Sequence, residues 1–350
     1  MSDTLVLNNI LNAASERKAT DVHLIAGSHP VIRVDNRMVT FTDEQILTPD
    51  ILLSMAKSFL TEKDMADLEK QREVVTVYTW ANRARFRAKV FYQKGYLAVS
   101  LRLIPPMLRS PKDLGIPAAI IQLLNRDKGL IIITGPFGSG RTSTAAALLE
   151  TLNQNKGLHI QTLEKPIEYL FSNNQSIVEQ RSVGTDVLTF NQGLKDMLNE
   201  DIDVVFVDAM HEEGQEEIVL QLAESGKLVI IVMDSESSLS AIERFISNLP
   251  EDKRAWGTDL FAEELLGIIS QRLLSRIGGG LTMASEVLVT TAAVKSSIKD
   301  NNLGQLSSII QTSKDEGMVN LDKSLMELVN VGEISKEDAR KQALQPQSFS

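Results

Sequence analysis

Residues 129–144 read GLIIITGPFGSGRTST. An apolar run of strand length enters a glycine-rich turn, and a stretch rich in alanine and leucine with helical composition leaves it. The turn, residues 135–142, approaches the phosphate-loop pattern of Gly, four residues, Gly, Lys and Ser or Thr, with Arg141 where the lysine belongs. Between a strand and a helix, such a turn aims its backbone N–H groups inward while the helix N-terminus adds positive potential. A phosphate fits that environment. Gly135, Pro136, Phe137, Gly138, Ser139, Gly140, Arg141, Thr142 and Ser143 are therefore the candidate nucleotide-binding residues, and Thr142 is placed to hold Mg²⁺. Arginine keeps the charge of lysine, but its planar fork is longer and wider, so phosphate affinity is easier to retain than γ-phosphate placement. Phe137 adds a bulky ring at the loop's tip.

The downstream rhythm sets the fold class. HIQTLE, VVFVDAM and KLVIIVM read as apolar strands, separated by helical segments FNQGLKDMLNE, EEIVLQLAESG and SLSAIERFISNL. Strands alternating with helices imply an α/β domain with a parallel sheet covered on both faces. From about Asp259 the pattern turns mostly helical, with a Gly278-Gly279-Gly280 turn and a strand MASEVLV. Two strand ends carry acids. TLEKPIEY places Glu164, with Glu168 second, where a carboxylate can orient water or metal or be a solvated loop acid. DVVFVDAM ends an apolar run in Asp208, a second Mg²⁺ candidate, followed by Ala209, which cannot accept a proton.

Upstream, short apolar runs (DVHLIAG, PVIRVD, VVTVYTW, RARFRAKVFYQ, YLAVSLRLI) predict a smaller α+β domain with a mainly antiparallel sheet. ILLSMAKSFLTEKDMADLEK has helical spacing, and an N-terminal helix carries Leu5, Leu7, Ile10 and Leu11. Pro105, Pro106, Pro111 and Pro117 make residues 105–117 an extended linker between domains 1–104 and 118–350.

The chain has 350 residues, 43% of them apolar, which suits two folded domains. A net charge of −10 argues against coating nucleic acid. There is no cysteine, hence no disulfide framework or thiolate zinc site. No stretch reaches the roughly 18 apolar residues of a membrane span, so direct membrane insertion is not expected. His23, His29, His159 and His211 fall in no metal-ligand spacing and read as surface or strand-end residues. No G-x-S-x-G elbow or guanine-reading Asn-Lys-x-Asp pattern occurs.

In this order the motifs resemble the type IV pilus retraction ATPase family (PilT-like), within the secretion ATPase superfamily. DVHLIAGSHPVIRVDNR, ARFRAKVF and LRLIP resemble its N-terminal domain, TLEKPIEY its aspartate box, and QRSV, AESGKLVIIVMDS and SQRLLSRIGGG follow in family order. IIQTSKDEGMVNLDKSL and GEISKEDARKQA resemble its C-terminal helices. The resemblance implies a PAS-like N-terminal domain, a RecA-like ATPase domain binding ATP or ADP with Mg²⁺, and a hexameric ring. It further implies a cytoplasmic place at the inner-membrane base of the pilus, against a platform protein, in a homomeric ring or one shared with an active paralogue. By the same resemblance, Arg85, Arg87, Arg102 and Arg181 match arginines that approach the phosphates.

The departures from that family concentrate at the chemistry. Arg141 replaces the loop lysine, Lys165 the aspartate-box acid and Ala209 the catalytic glutamate, while Lys227 and Asp234 replace the two histidines of the His box. The helix linked to retraction reads AVKSSIKD and lacks arginines. Scaffold segments still read cleanly, which suggests a retained fold with relaxed hydrolysis. The alternative is a divergent but active ATPase in which Glu164 acts as base.

Overall fold

The computed structural model describes residues 3–17, 19–35, 37–81, 83–105, 107–210 and 212–349. The chain divides into two compact units, Met1–Met107 and Leu108–Ser350.

The first unit is built on a six-stranded antiparallel sheet. Its strands are β1 (Asp21–Ile25), β2 (Val31–Val34), β3 (Arg37–Thr40), β4 (Glu73–Trp80), β5 (Ala84–Gln93) and β6 (Tyr96–Ile104), in the order β3-β2-β1-β6-β5-β4. Helix α1 (Asp3–Glu16) buries Val6, Leu7, Ile10, Leu11 and Ala14, the i, i+3, i+4, i+7 stripe of an amphipathic helix. Leu5, expected on that stripe, is 46% exposed, and Val6 takes its place. The single helix suggested by residues 51–70 is two, α2 (Pro49–Lys57) and α3 (Glu62–Gln71). The break is chemical. Thr61 and Asp64 form a capping box whose reciprocal bonds start a new helix. The exposed four-residue edge strand β3 has no buried face, so no alternating pattern announced it.

The second unit opens with a correction to the extended linker expected over 105–117: Ser110 caps a helical turn α4 (Pro111–Leu114) with proline at its start. After α5 (Ala118–Leu123) come β7 (Gly129–Thr134), α6 (Arg141–Asn155), β8 (His159–Glu164), β9 (Ile177–Ser182) and α7 (Phe190–Met197). Next are β10 (Val204–Asp208), α8 (Gln215–Glu224), β11 (Leu228–Met233), α9 (Ser238–Ser247) and α10 (Arg254–Glu264). Strands β12 (Leu265–Ser275) and β13 (Leu281–Val289) form a hairpin, and α11 (Ala292–Lys299), α12 (Leu306–Thr312), α13 (Leu321–Asn330) and α14 (Lys336–Gln342) follow. The seven strands run β13-β12-β7-β11-β10-β8-β9, all parallel neighbours except the β12–β13 pair.

Both faces of this sheet are covered. Ile131, Ile133, Phe206, Ile230 and Val232 pack with α5 and α6, while Leu130, Ile132, Val205, Val207 and Ile231 pack with α7 to α11. Successive residues of one strand thus enter opposite cores, which explains their unbroken apolar sequence. Past Asp259 the same property overturns the mostly helical expectation. LLGIISQRLLS is not helical but an eleven-residue strand, buried on both sides and lacking the alternation that marks a half-exposed strand. Strand β9, IVEQRS, escaped notice for the opposite reason: it is a polar edge strand.

Gly267 tests the tightness of this packing. A Cβ there would meet the Leu288 carbonyl at 2.7 Å and Leu123 Cδ1 at 2.8 Å, whereas one at Gly304 meets nothing within 4 Å. Gly267→Ala is expected to lose about 1–3 kcal/mol in denaturant unfolding, and Gly304→Ala to stay within about 0.5 kcal/mol of wild type. Equal stabilities for the two variants would contradict this packing.

Candidate functional site

Parallel strands bring their C-terminal ends to one edge of the sheet, where open α/β folds place their ligands. Four neighbouring strands end there in polar groups: β7 in the glycine loop, β11 in Asp234, β10 in Asp208 and β8 in Glu164.

The loop is a backbone structure. Gly135, Gly138 and Gly140 have φ of 148°, 81° and 88°, a region that disfavours side chains. A Cβ at Gly135 would lie 2.4 Å from the Gln271 carbonyl and 2.5 Å from Ser139 Oγ. Ser139 N donates to the Pro136 carbonyl at 3.1 Å, closing the turn. Gln271 on β12 braces the loop from below, its Nε2 donating to the Ser139 carbonyl at 2.7 Å. Gly140 starts α6 with no side-chain cap, and the first turn holds no acid, so its N–H groups remain available to an anion. The buried Ser139 hydroxyl also has no hydrogen-bond partner. Phe137 is 80% exposed, so its ring lies on the loop's outer surface instead of filling the cradle.

Thr142 Oγ1 donates to Asp208 Oδ2 at 3.0 Å, joining the start of α6 to the end of β10. Arg141 turns toward β11, where Nη1 donates to the Met233 carbonyl at 2.7 Å and to the Asp234 carboxylate. Ser143 and Tyr169 hydroxyls lie 2.8 Å apart, tying α6 to the segment after β8.

Glu164 and Asp208 are register partners on β8 and β10. Glu164 is only 3% exposed, and it accepts from Thr162 Oγ1 at 2.6 Å and Gln180 Nε2 at 3.2 Å. Gln180 is itself fixed by the Tyr169 carbonyl and the Phe171 N–H. Burial pushes the Glu164 carboxyl up to about 7, with Asp208 and Glu168 adding repulsion against the pull of the two hydrogen bonds. Glu164 is therefore a buried acid and not a solvated one, while Glu168 is half-buried.

The remaining expected residues fall on their own elements. Lys227 precedes β11 at its N-terminal end, a strand length of roughly 20 Å from Asp234, so the two positions do not share a site. Lys165 follows Glu164 but is exposed. Arg181, on β9, engages Asp196 at 3.6 Å and Glu200 at 3.8 Å. Arg85 and Arg87 on β5 and Arg102 on β6 belong to the first unit, where Arg87 is the register partner of Arg102 and Arg102 pairs with Asp21 at 2.8 Å. His159 begins β8, His23 lies within β1 and His29 just precedes β2, while His211 lies outside the described residues. No local pattern marks Gln271, Gln180 and Tyr169, because their roles depend on contacts between separate segments.

The buried acid has a pH signature. A carboxyl whose folded pKa is raised binds an extra proton in the folded state, so its stability contribution falls as pH rises from the unfolded value near 4.5 to about 7. In nucleotide-free, Mg²⁺-free protein, Glu164→Gln should gain about 2–3 kcal/mol relative to wild type between pH 5 and pH 8. Parallel pH–stability profiles by urea denaturation would contradict the burial of a titrating acid.

The profile of the type II/IV secretion system protein family matches residues 3–281. The type IV pilus retraction ATPase PilT of Pseudomonas aeruginosa is 32% identical over 98% of this chain and 99% of its own. A twitching motility protein of Neisseria gonorrhoeae is 30% identical over 93% of this chain and 87% of its own. The crystal structure of the pilus retraction motor PilT with bound ADP superposes with a TM-score of 0.83 at 36% identity, covering 97% of both chains. With its matching fold, the chain belongs to the type II/IV secretion ATPase family, in the branch of the PilT-like pilus retraction ATPases.

Proposed function

We propose that this chain is a nucleotide-holding subunit of a pilus-retraction motor that hydrolyses ATP slowly and acts in a structural or regulatory capacity. The observation that carries the reading is the contrast at the sheet edge. The backbone cradle and the uncapped α6 terminus are intact, while Ala209 follows Asp208 where a proton acceptor would serve hydrolysis. Support for a nucleotide ligand comes from the PilT structure with bound ADP.

In this reading the α6 N-terminus and the loop N–H groups hold the phosphates. Thr142 and Asp208 are hard oxygen donors that suit Mg²⁺, which would supply charge neutralisation on the phosphates. Among the described residues no group of three or more His, Cys, Asp or Glu gathers around a metal position. A cation here would draw its remaining ligands from phosphate and water. Thr142 holds a position at the head of α6 and Asp208 orients its hydroxyl. The loss of the loop lysine and of the catalytic acid removes positioning and proton transfer, each worth ~10²-fold or more. By analogy with the family, the subunit works in a hexameric ring, homomeric or shared with an active paralogue. The ring sits in the cytoplasm against the inner-membrane platform of a pilus. Among the described residues no helix is long and apolar enough to cross a membrane.

A second reading draws on Glu164. Its carboxyl titrates near neutrality beside Asp208, as a general base requires. The two readings part in a steady-state Mg²⁺-ATP hydrolysis assay on wild type, Arg141→Lys/Ala209→Glu and Glu164→Gln. The first predicts wild-type turnover below ~1 s⁻¹, the low end of ordinary enzymes, and a gain of ~10²-fold or more in the double variant. Wild-type turnover within ~1–10³ s⁻¹ that is abolished by Glu164→Gln would establish the second reading instead.

A further inference from the structure

Arg141 is the one cation in residues 135–143, so it is the loop's only side-chain charge for a phosphate. Its guanidinium is directed to the end of β11, where Nη1 serves both the Met233 carbonyl and the Asp234 carboxylate. The Arg141 side chain is 14% exposed and that of Asp234 44%.

The acceptor side is held in place independently of Arg141. Thr134 Oγ1 donates to the Met233 and Ser235 carbonyls, both at 3.1 Å. Arg244 Nη1 donates to the Asp234 carbonyl at 2.6 Å. Arg272 Nη2 and Ser270 Oγ donate to the Glu236 carbonyl at 2.7 and 3.1 Å. Residues 233–236 are thus pinned from β7, α9 and β12. The carboxylate is presented to Arg141 at little ordering cost, which makes a charge-assisted bond of this kind strong.

We propose that Asp234 is a built-in competitor for the phosphate: its carboxylate occupies Arg141 in the nucleotide-free protein and sets the affinity for nucleoside di- and triphosphates. The inference rests on the proposed nucleotide site and adds to it a residue that determines affinity. A phosphate oxygen and the Asp234 carboxylate are both anions seeking the same guanidinium. The pair neutralises the loop's cation, and release of Arg141 to a phosphate leaves the Asp234 carboxylate uncompensated beside the cradle. Apparent affinity then falls by the fraction of molecules in which Arg141 is released. Arginine at 141 and aspartate at 234 act as one complementary pair, with Asp234 positioning Arg141 and not touching the reacting atoms.

The test is calorimetric titration of ADP into full-length wild type, Asp234→Asn, Asp234→Ser and Asp234→Glu, with thermal melting of each nucleotide-free protein. The Asn and Ser variants are expected to bind ADP about 10-fold tighter or more. Their nucleotide-free melting temperatures are expected to fall, while Asp234→Glu restores wild-type behaviour in both readouts. Opposite movement of affinity and stability marks a competitor, since a merely structural residue would lower both. Binding by Asn and Ser variants with a silent wild type supports the inference in stronger form. Equal or weaker binding by both variants, with wild-type binding intact, overturns it and leaves the nucleotide site standing. If no protein in the set binds ADP at millimolar concentration, the nucleotide site and the inference both fall.

Discussion

Strand β7 is hydrogen-bonded by β11 on one side and β12 on the other, and the positions of the glycine loop, Gln271 and Asp234 follow from that placement. Its six residues are fully buried, so the chain leaving it cannot drift, and the glycine loop begins at a fixed point on the sheet edge. From one neighbour comes Gln271, which supports the loop from below; from the other comes Asp234, which takes its arginine. One strand further, Asp208 accepts from Thr142, and beside it the buried Glu164 accepts from Gln180, which the Tyr169 carbonyl holds. The site is therefore a row of strand ends whose spacing is set by backbone pairing. Substituting the side chains at those ends alters the chemistry while leaving the scaffold intact.

This separation explains how residues at the strand ends can vary while the fold is kept. Arg141 and Asp234 lie at a helix start and just past a strand end, outside both core clusters, and Ala209 packs only at the margin of one, whereas the apolar residues of β7, β10 and β11 enter two cores at once. Changes at the edge cost little packing energy. Arg141 alone reads as a conservative exchange of cations. Its ion pair with Asp234 shows that two departures are physically linked, a positive group and the negative group that satisfies it. Lys227, at the far end of the same strand, takes no part in that linkage.

What the sequence made legible follows from how locally each feature is encoded. The strand–loop–helix of residues 129–155, the apolar strands β8, β10 and β11 and the helices between them were readable, because periodicity and glycine placement are local signals. The hairpin β12–β13 was half read: Leu265–Ser275 buries both faces and imitates the composition of a core helix. Edge strands β3 and β9 carry too little apolar pattern to be seen. At the site, the loop and the two acids were visible as residue types, but the burial that raises Glu164 and the Thr162 and Gln180 hydrogen bonds that oppose it arise only in the folded chain. The partner of Arg141 stands 93 residues away in sequence, and only the sheet order brings it close.

The central claim is that this site holds nucleotide without promptly hydrolysing it. A single-turnover experiment addresses it directly: protein in molar excess over labelled ATP, with Mg²⁺, quenched at intervals and resolved into bound ATP and ADP. The account predicts that label stays with the protein and remains ATP through the period in which an ordinary motor subunit would have converted it. Rapid conversion of bound ATP to ADP, or label that never stays with the protein, would contradict it.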